Sequence, residues 1–320
     1  MLNRMLLALF LAATAVSVAA QTSYPAKPIR FVVPYPPGGF TDILARLIGQ
    51  KLTDSWSQPV VIENRGGGGS TIGTDIVAKA PPDGYTILMA APDLAINPSL
   101  HAKLPYDTAR DFAPVSLVAW GPIALVTHPS LPVSTLGEFV ALARSSPRPL
   151  IYASGGNGTA GHLAMELFKT TAGISLVHVP YKGIAPASTD LLSGQVSVMF
   201  LQMALARPHV LSGRLRALAV AGHQRSQALP EVPTVAEAGL AGFEVNPWFG
   251  VVAPAGTPAE VVAKLSAEIG RIMRLPDVKE RISAQGGEPA ANSPEEFSAF
   301  VRAEIAKWEK VVKASGAKVD

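Results

Sequence analysis

The feature that most constrains this chain is a repeated alternation of short apolar runs, glycine-containing loops and helical patterns. The apolar runs cover residues 29–33, 60–62 and 85–89 in the first part of the chain, and residues 150–153, 176–179, 196–201 and 215–220 in the second. Strands that alternate with helices form parallel sheets, because each helix carries the chain back to the same end of the sheet. The sequence therefore predicts two α/β units, with mainly parallel sheets flanked by helices.

The loop after the first apolar run has the sequence Pro34-Tyr35-Pro36-Pro37-Gly38-Gly39-Phe40-Thr41-Asp42. Prolines end a strand, since their φ is fixed and they lack an N–H group, and the glycine pair lets the backbone turn sharply. Thr41 or Asp42 can then cap the following helix. The free N–H groups of a helix N-terminus favour an anion, so this loop predicts an anion site in which Asp42 caps the helix or meets a ligand donor. An ordinary strand-to-helix loop would fit the same residues.

A second glycine-rich loop, Ser154-Gly155-Gly156-Asn157-Gly158-Thr159, again follows a strand pattern and opens a helix pattern. Its glycines fit G-x-G-x-x-G, but a dinucleotide site also needs an acid about 20 residues later. The next strand runs into His178-Val179-Pro180-Tyr181-Lys182, which has no acid there. We therefore expect backbone N–H groups and the hydroxyls of Ser154 and Thr159 to face an anion, with His162 in the first helical turn.

Other chemistries lack the residues that they need. The chain has no cysteine, which excludes disulfides and thiolate sites. The six histidines are scattered without a metal-ligand spacing, so neither a metal nor another cofactor is expected. The net charge is only +3, and no run of basic residues with interleaved aromatics appears, so nucleic acid is not an expected partner.

The first residues have the composition of an export signal. Arg4 precedes an almost wholly apolar stretch at residues 5–16, and Val18-Ala19-Ala20 is a small-residue cleavage site. We predict that residues 1–20 are a signal peptide cleaved after Ala20, and that the mature protein is exported to the periplasm.

Two further stretches indicate how the α/β units are connected. The apolar stretch 114–128 is broken by Gly121-Pro122, and residues 243–253 are expected to form the return crossover. Capping boxes are predicted at Thr135–Glu138, Thr257–Glu260 and Ser293–Glu296. The last two open amphipathic helices that we expect to be structural.

Several short motifs, in this order, resemble one family. They are Pro34 to Asp42, Glu63-Asn64-Arg65-Gly66-Gly67-Gly68-Gly69, Pro82-Asp83-Gly84-Tyr85-Thr86, Val179-Pro180-Tyr181-Lys182-Gly183, Leu229-Pro230-x-Val232-Pro233-Thr234, Glu237-Ala238-Gly239, Trp248-Phe249-Gly250 and Ala253-Pro254-Ala255-Gly256-Thr257-Pro258. Together they resemble the Bug-type, TctC-like extracytoplasmic solute receptors of tripartite tricarboxylate transporters. The resemblance covers nearly the whole mature chain.

This resemblance implies a type II-like periplasmic clamshell with two crossover segments. Domain 1 would comprise residues 21–121 and 247–320, and domain 2 residues 122–246. The clamshell would close on a small organic acid, a di- or tricarboxylate or an aromatic carboxylate, and deliver it to membrane permease subunits. The implied ligand contacts are Tyr35, Pro37, Gly38, Gly39, Phe40, Thr41 and Asp42 in the first loop, Ser154, Gly155, Asn157, Gly158, Thr159 and His162 in the second, Tyr181, and Gln202, which stands where many relatives carry an Asp.

Two other functions stay open at this point. One is an exported hydrolase that uses Ser154 or Ser70 with His162, although no base-orienting acid accompanies them. The other is a sensory partner that presents the bound acid to a signalling receptor. Absence of the Asp at position 202 argues against an amino-acid ligand, but the sequence does not name the acid.

Overall fold

The computed structural model describes residues 24–317. The predicted signal peptide and its cleavage after Ala20 lie outside the described residues. Within residues 24–317, none of the helices combines the length and apolar character needed to cross a bilayer.

The described chain alternates strands and helices throughout. Its strands are β1 (Ile29–Val33), β2 (Val60–Asn64), β3 (Thr86–Ala90), β4 (Phe112–Trp120), β5 (Ile123–Thr127), β6 (Leu150–Ser154), β7 (Leu176–Pro180), β8 (Val198–Gln202), β9 (Arg216–Val220), β10 (Trp248–Pro254) and β11 (Glu288–Pro289). Its helices are α1 (Phe40–Trp56), α2 (Thr71–Ala78), α3 (Asp93–Leu100), α4 (Leu136–Ser145), α5 (Ala160–Ala172), α6 (Ile184–Leu192), α7 (Met203–Leu211), α8 (Ala259–Met273), α9 (Pro276–Ala284) and α10 (Pro294–Ser315).

The strands form two sheets, one in each of two α/β domains. The first sheet has the order β11-β4-β10-β3-β1-β2, and the second has the order β7-β6-β8-β5-β9. Leaving aside the short β11, the first order read from β4 to β2 corresponds strand for strand to the second order read from β9 to β7. The predicted α/β architecture with flanking helices is confirmed, whereas the predicted residue bounds of the domains stay a prediction.

Both sheets are mixed, with parallel neighbours on one side and antiparallel neighbours on the other. Strands β1, β2 and β3 are parallel, as are β6, β7 and β8. Strand β10 runs antiparallel to both β3 and β4, and β5 runs antiparallel to both β8 and β9. The physical reason is the connection: each of these two strands enters its sheet directly from a crossover, with no helix to return the chain to the opposite end.

The two crossovers place the carboxyl ends of the parallel strands of both sheets next to each other. Trp120 ends β4 and pairs with Trp248, the first residue of β10. Only Gly121 and Pro122 separate Trp120 from Ile123, which pairs with Gln202 at the carboxyl end of β8. Loops that follow the parallel strands of either sheet therefore open toward one cleft.

The predicted caps had mixed outcomes. Capping boxes are present at Thr135–Glu138 and Ser293–Glu296, as predicted. The predicted cap at Thr257 is wrong: α8 begins one residue later than the pattern indicated, and the Thr257 hydroxyl donates to the Pro254 carbonyl instead. The helix cap predicted at Thr41 or Asp42 is also wrong, because the N-cap residue of α1 is Gly39.

Candidate functional site

The candidate site consists of the loops at the facing carboxyl edges. The first loop (residues 35–42) connects β1 to the first turn of α1, and the second loop (residues 154–162) connects β6 to the first turn of α5. In open α/β sheets this edge is where ligands bind. Both loops present a helix N-terminus, whose first N–H groups lack partners within the helix.

Asp42 fixes the shape of the first loop. Its carboxylate is 4% exposed and accepts hydrogen bonds from the Gly38 N–H at 3.0 Å, Arg46 Nε at 3.0 Å and Asn64 Nδ2 at 2.9 Å. Burial raises the pKa of Asp42, but these hydrogen bonds outweigh that effect and the pKa is lowered overall. The carboxylate is thus engaged by the loop itself, and Asn64 also donates to the Tyr35 carbonyl.

The hydroxyl of Tyr35 points into the first domain. It donates to Asp93 Oδ2 at 2.7 Å, and Asp93 lies in the first turn of α3, after the carboxyl end of β3. Burial raises the pKa of Asp93 to about 6, although the Tyr35 hydrogen bond acts in the opposite direction. Burial likewise raises the pKa of Tyr35. The pair anchors the start of the first loop.

The remaining first-loop residues divide into an exposed tip and a buried base. Pro37, Gly38 and Gly39 are exposed, and Gly38 has a φ of +94°, which favours glycine. Thr41 is buried. Phe40 is 8% exposed, and its ring packs edge-on against Phe249 with centroids 5.0 Å apart.

Gln202 and Phe40 meet at one pocket beside the crossover. Its volume is about 10 Å³, which is room for about one water molecule. The lining comes from both domains and comprises Phe40, Gly121, Pro122, Gln202, Met203, Ala204, Phe249, Gln285, Gly286 and Gly287. Phe40 and Gln202 are both predicted ligand contacts, and they line the same pocket from different domains.

Ser154 is held within the second loop. Its Oγ lies 2.7 Å from His178 Nε2 and accepts a hydrogen bond from the Gly156 N–H at 3.1 Å. The residue is buried, with 1% of its surface exposed. Burial and the neighbouring His162 lower the pKa of His178 to about 4. Ser154 pairs with His178 rather than with His162, which the hydrolase hypothesis had invoked, and no carboxylate within residues 24–317 hydrogen bonds to His178.

His162 holds the other half of the second loop. Its Nδ1 accepts the Gly158 N–H at 3.0 Å, and its ring is 7% exposed. The ring stacks on His178 with centroids 4.2 Å apart and an interplanar angle of 10°. Because Gly158 N–H can only donate, His162 Nδ1 carries no proton, and the imidazole is neutral.

The remaining predicted contacts in the second loop are Asn157, Gly158, Thr159 and Gly155. Asn157 is exposed at the tip, Gly158 has a φ of +79°, and Thr159 is the N-cap residue of α5. The Thr159 hydroxyl donates to the Gly156 carbonyl at 2.8 Å. Gly155 accepts the Gly183 N–H through its carbonyl at 3.0 Å, which ties the second loop to the segment after β7.

Tyr181 lies on that neighbouring segment. Its backbone N–H donates to the Ser154 carbonyl at 3.0 Å, and its hydroxyl donates to Asp190 Oδ2 at 2.6 Å. The hydrogen bond that the hydroxyl donates to Asp190 raises the pKa of Tyr181 to about 12. Tyr181 therefore lies beside the second loop, and its hydroxyl is hydrogen bonded to a residue of α6.

Sequence reasoning missed the residues that support the loops: Asn64, Asp93, His178 and Asp190. Asn64 stands in one of the family motifs, and His178 lies two residues before Pro180-Tyr181, so their positions offered a signal. Asp93 and Asp190 are joined to Tyr35 and Tyr181 only through the fold. Among residues 24–317, no group of three or more His, Cys, Asp or Glu side chains could hold a metal ion.

Two α/β domains that are joined by two crossovers, with helix N-termini at their facing edges, define a two-domain solute-binding protein. The chain belongs to the tripartite tricarboxylate transporter receptor family, whose sequence model matches residues 44–317. The resemblance drawn from the sequence motifs is thereby confirmed.

Relatives support this assignment over nearly the full length. Protein BugT of Bordetella pertussis is 41% identical over 310 residues, which span 96% of this chain and 95% of that protein. A solved R. palustris protein, Rpa4515 with adipate, is 39% identical with a TM-score of 0.85, covering 92% of this chain and 100% of the other. MatC from Rhodopseudomonas palustris with bound malate is 34% identical with a TM-score of 0.79, covering 90% of this chain and 100% of the other.

Proposed function

We propose that this protein is a periplasmic receptor that captures a small organic acid in the cleft and delivers it to membrane permease subunits. The observation that carries the proposal is the placement of two helix N-termini, α1 and α5, at sheet edges that meet beside the crossovers. Relatives of the same family are described with adipate and with malate. We therefore favour a dicarboxylate over a tricarboxylate or an aromatic acid.

Helix N-termini suit this ligand because they bind a carboxylate without a buried cation. Each charge-assisted N–H bond contributes about 1.5–3 kcal/mol, and the helix dipole adds about 0.3–1 kcal/mol where the site is exposed. Gly39 and Asn157, at the tips of the two loops, are exposed. Closure would be a hinge motion at Gly121 and at Asn246-Pro247.

Binding, rather than catalysis, is the role that we infer for this site. A hydrolase would need an exposed nucleophile with an activated base. Ser154 is buried, and the pKa of its partner His178 is about 4, far below that of an efficient base at neutral pH. We also infer export to the periplasm with cleavage after Ala20, in keeping with the family.

The test is isothermal titration calorimetry of residues 21–320 with adipate, malate, citrate, benzoate and glutamate, using acetate as a weak-binding reference. Denaturing mass spectrometry of the purified protein first shows whether a ligand is already bound. Micromolar or tighter binding of one class of acid is expected. Failure of all of them with ligand-free protein would contradict the proposal.

A matched pair of variants tests the helix N-terminus of α5. Ala160→Pro removes one N–H at the first helical position, where proline is tolerated, and the φ of −65° and ψ of 155° at Thr159 suit a residue before proline. Ala259→Pro makes the same change in α8, which begins at the opposite edge of the first sheet, after β10. We expect a loss of affinity of about 10-fold or more in the first variant and none in the second.

A further inference from the structure

Two imidazole rings, a phenol ring and an ion pair form a compact cluster beneath the second loop. His178 stacks on His162 at 4.2 Å and on Tyr152 at 4.5 Å, with interplanar angles of 10° and 11°. The Tyr152 hydroxyl donates to Glu166 Oε1 at 2.5 Å, and Lys169 Nζ contacts both Glu166 oxygens at 2.7 and 2.9 Å. These residues come from β6, β7 and α5.

Each histidine holds a different half of the loop. His178 Nε2 contacts the Ser154 hydroxyl, which in turn accepts the Gly156 N–H. His162 Nδ1 accepts the Gly158 N–H. Gly156 and Gly158 have φ values of +130° and +79°, so these two bonds pin the glycines that give the loop its shape.

From this geometry we propose that His162 and His178 act together as neutral positioning residues that hold the second loop in the shape that receives the ligand, and that proton uptake by the pair loosens the loop and weakens binding. The effect on binding rests on the function proposed above, whereas the effect on loop shape does not. Ser154 and His162, expected from the sequence to contact the ligand, are in this view supports of the loop.

The direction of the pH effect follows from the donors and acceptors. A proton on His162 Nδ1 would replace the acceptor of the Gly158 N–H by a second donor, so the bond must break. Two charged rings at 4.2 Å would also repel each other. Of the facing charged groups, Glu166 favours protonation, but its carboxylate is already paired with Lys169, whose ammonium disfavours it.

Burial keeps both rings neutral at physiological pH. It lowers the pKa of His162 below its usual value of 6.5, and burial together with His162 lowers the pKa of His178 to about 4. The native loop therefore binds fewer protons than the unfolded chain at acidic pH. Ligand affinity should be constant above pH 6.5 and should fall only when the pH decreases into the range of these lowered folded-state pKa values, which lies below 6.5.

The first test observes the loop without any ligand. Asn157-Gly158 is the only Asn-Gly pair in the sequence, so carbonyl-¹³C asparagine with ¹⁵N glycine isolates the Gly158 amide as a single NMR signal. Ring-¹⁵N histidine labelling reports the tautomers. At pH 7.5 we expect His162 with an unprotonated Nδ1, and a Gly158 N–H protected from hydrogen exchange. A protonated Nδ1 would overturn the proposal, whether or not any acid binds.

The second test uses a substitution that restores the acceptor. His162→Asn places an amide oxygen at the position of Nδ1, whereas His162→Leu has a similar size and no acceptor. Gly158 exchange should be about 10-fold faster in the leucine variant and should return close to the wild-type rate in the asparagine variant. Equal exchange rates in the two variants would contradict the positioning role. His223→Asn, at an exposed histidine, is the matched control.

The third test measures adipate affinity from pH 8 to pH 4 by calorimetry, a range that reaches the lowered pKa of His178. Wild type should lose more affinity on acidification than His162→Asn, because the asparagine does not titrate, while the titration of adipate itself is common to both proteins. Identical pH profiles would overturn the proton-linked part. If wild type does not bind adipate at pH 7.5, the preference for a dicarboxylate fails, and the NMR measurements still decide the loop.

Discussion

The backbone N–H of Gly121 donates to the carbonyl oxygen of Pro247 at 2.7 Å, which joins the two crossover segments to each other. The same glycine lies against Phe249, since a Cβ at position 121 would be 2.6 Å from the Phe249 ring. Phe249 in turn packs against Phe40 at the start of α1. The crossover and the first loop are therefore in mechanical contact through one aromatic side chain.

This contact predicts that Gly121→Ala alters both stability and binding. The added methyl group must displace the Phe249 ring, and overpacking of this kind costs about 1–3 kcal/mol. We expect a Tm lower by a few degrees in thermal melts and a weaker affinity for the ligand in calorimetry. Gly137→Ala in α4 meets nothing within 4 Å and should raise the stability slightly. If the Gly121→Ala protein keeps the affinity of wild type, the contact at the crossover does not influence ligand binding by the first loop.

A second prediction concerns the carboxylate that organises the first loop. Asp42→Asn keeps the shape but replaces one of the two oxygens by an NH₂ group, which then faces either the Arg46 donor at Oδ2 or the Asn64 donor at Oδ1. The free energy of unfolding should fall by about 1–3 kcal/mol at pH 7 in urea denaturation. Because the pKa of Asp42 is lowered in the folded state, its contribution is present above its unfolded value of 3.8 and is lost as the pH falls below it.

Arg46→Gln is the control for Asp42→Asn. The Arg46 side chain is 54% exposed, so its loss should cost well under 1 kcal/mol. Equal losses in the two variants would mean that the surface ion pair, rather than the buried carboxylate, stabilises the loop.

A third prediction concerns Tyr35 and the buried carboxyl of Asp93. The folded pKa of Asp93, about 6, lies above its unfolded value, so this group destabilises the fold progressively as the pH rises from 3.8 to 6. Tyr35→Phe removes a hydrogen bond to the ionised form and should cost about 1–3 kcal/mol at pH 7.5. At pH 5, where Asp93 is largely protonated, the loss should be smaller.

Urea denaturation at the two pH values measures this difference, and Tyr181→Phe provides the matched control. The Tyr181 hydroxyl also donates to a carboxylate, that of Asp190, but Tyr181 is partly exposed. We expect at most about 1 kcal/mol there, with little pH dependence. A Tyr35→Phe loss that is the same at both pH values would contradict the assigned pKa of Asp93.

The sequence predicted the alternation of strands and helices better than it predicted the direction of each strand within its sheet. Alternating apolar runs and helix signals report local periodicity, and so they indicated both α/β units and two of the capping boxes. The antiparallel entry of β5 depends on the short connection through Gly121 and Pro122, and that of β10 depends on the crossover that ends at Asn246 and Pro247. Periodicity does not encode the direction in which a strand joins its sheet.

At the site, the sequence indicated the loops but not their supports. Glycine spacing and strand-to-helix transitions mark a loop from neighbouring residues alone. The pairing of His178 with Ser154 spans 24 residues, and that of Asp93 with Tyr35 spans 58 residues. Such pairs exist only after the strands have aligned, which is why the sequence did not show that Ser154 and His162 also hold the second loop.

The last prediction concerns Gln202, one of the ligand contacts expected from the sequence. It lies at the carboxyl end of β8 and lines the pocket beside the crossover together with Phe40. The residues that line this pocket include no cation, so a carboxylate at position 202 would have no partner there and would repel an anionic ligand.

We expect Gln202→Asp to weaken adipate binding about 10-fold or more in calorimetry at pH 7.5. The neutral variant Gln202→Asn should lose much less. The same carboxylate would give an ammonium group an acceptor, so glutamate should lose less affinity than adipate. If Gln202→Asp keeps the affinity of wild type for adipate, Gln202 does not lie near a ligand carboxylate.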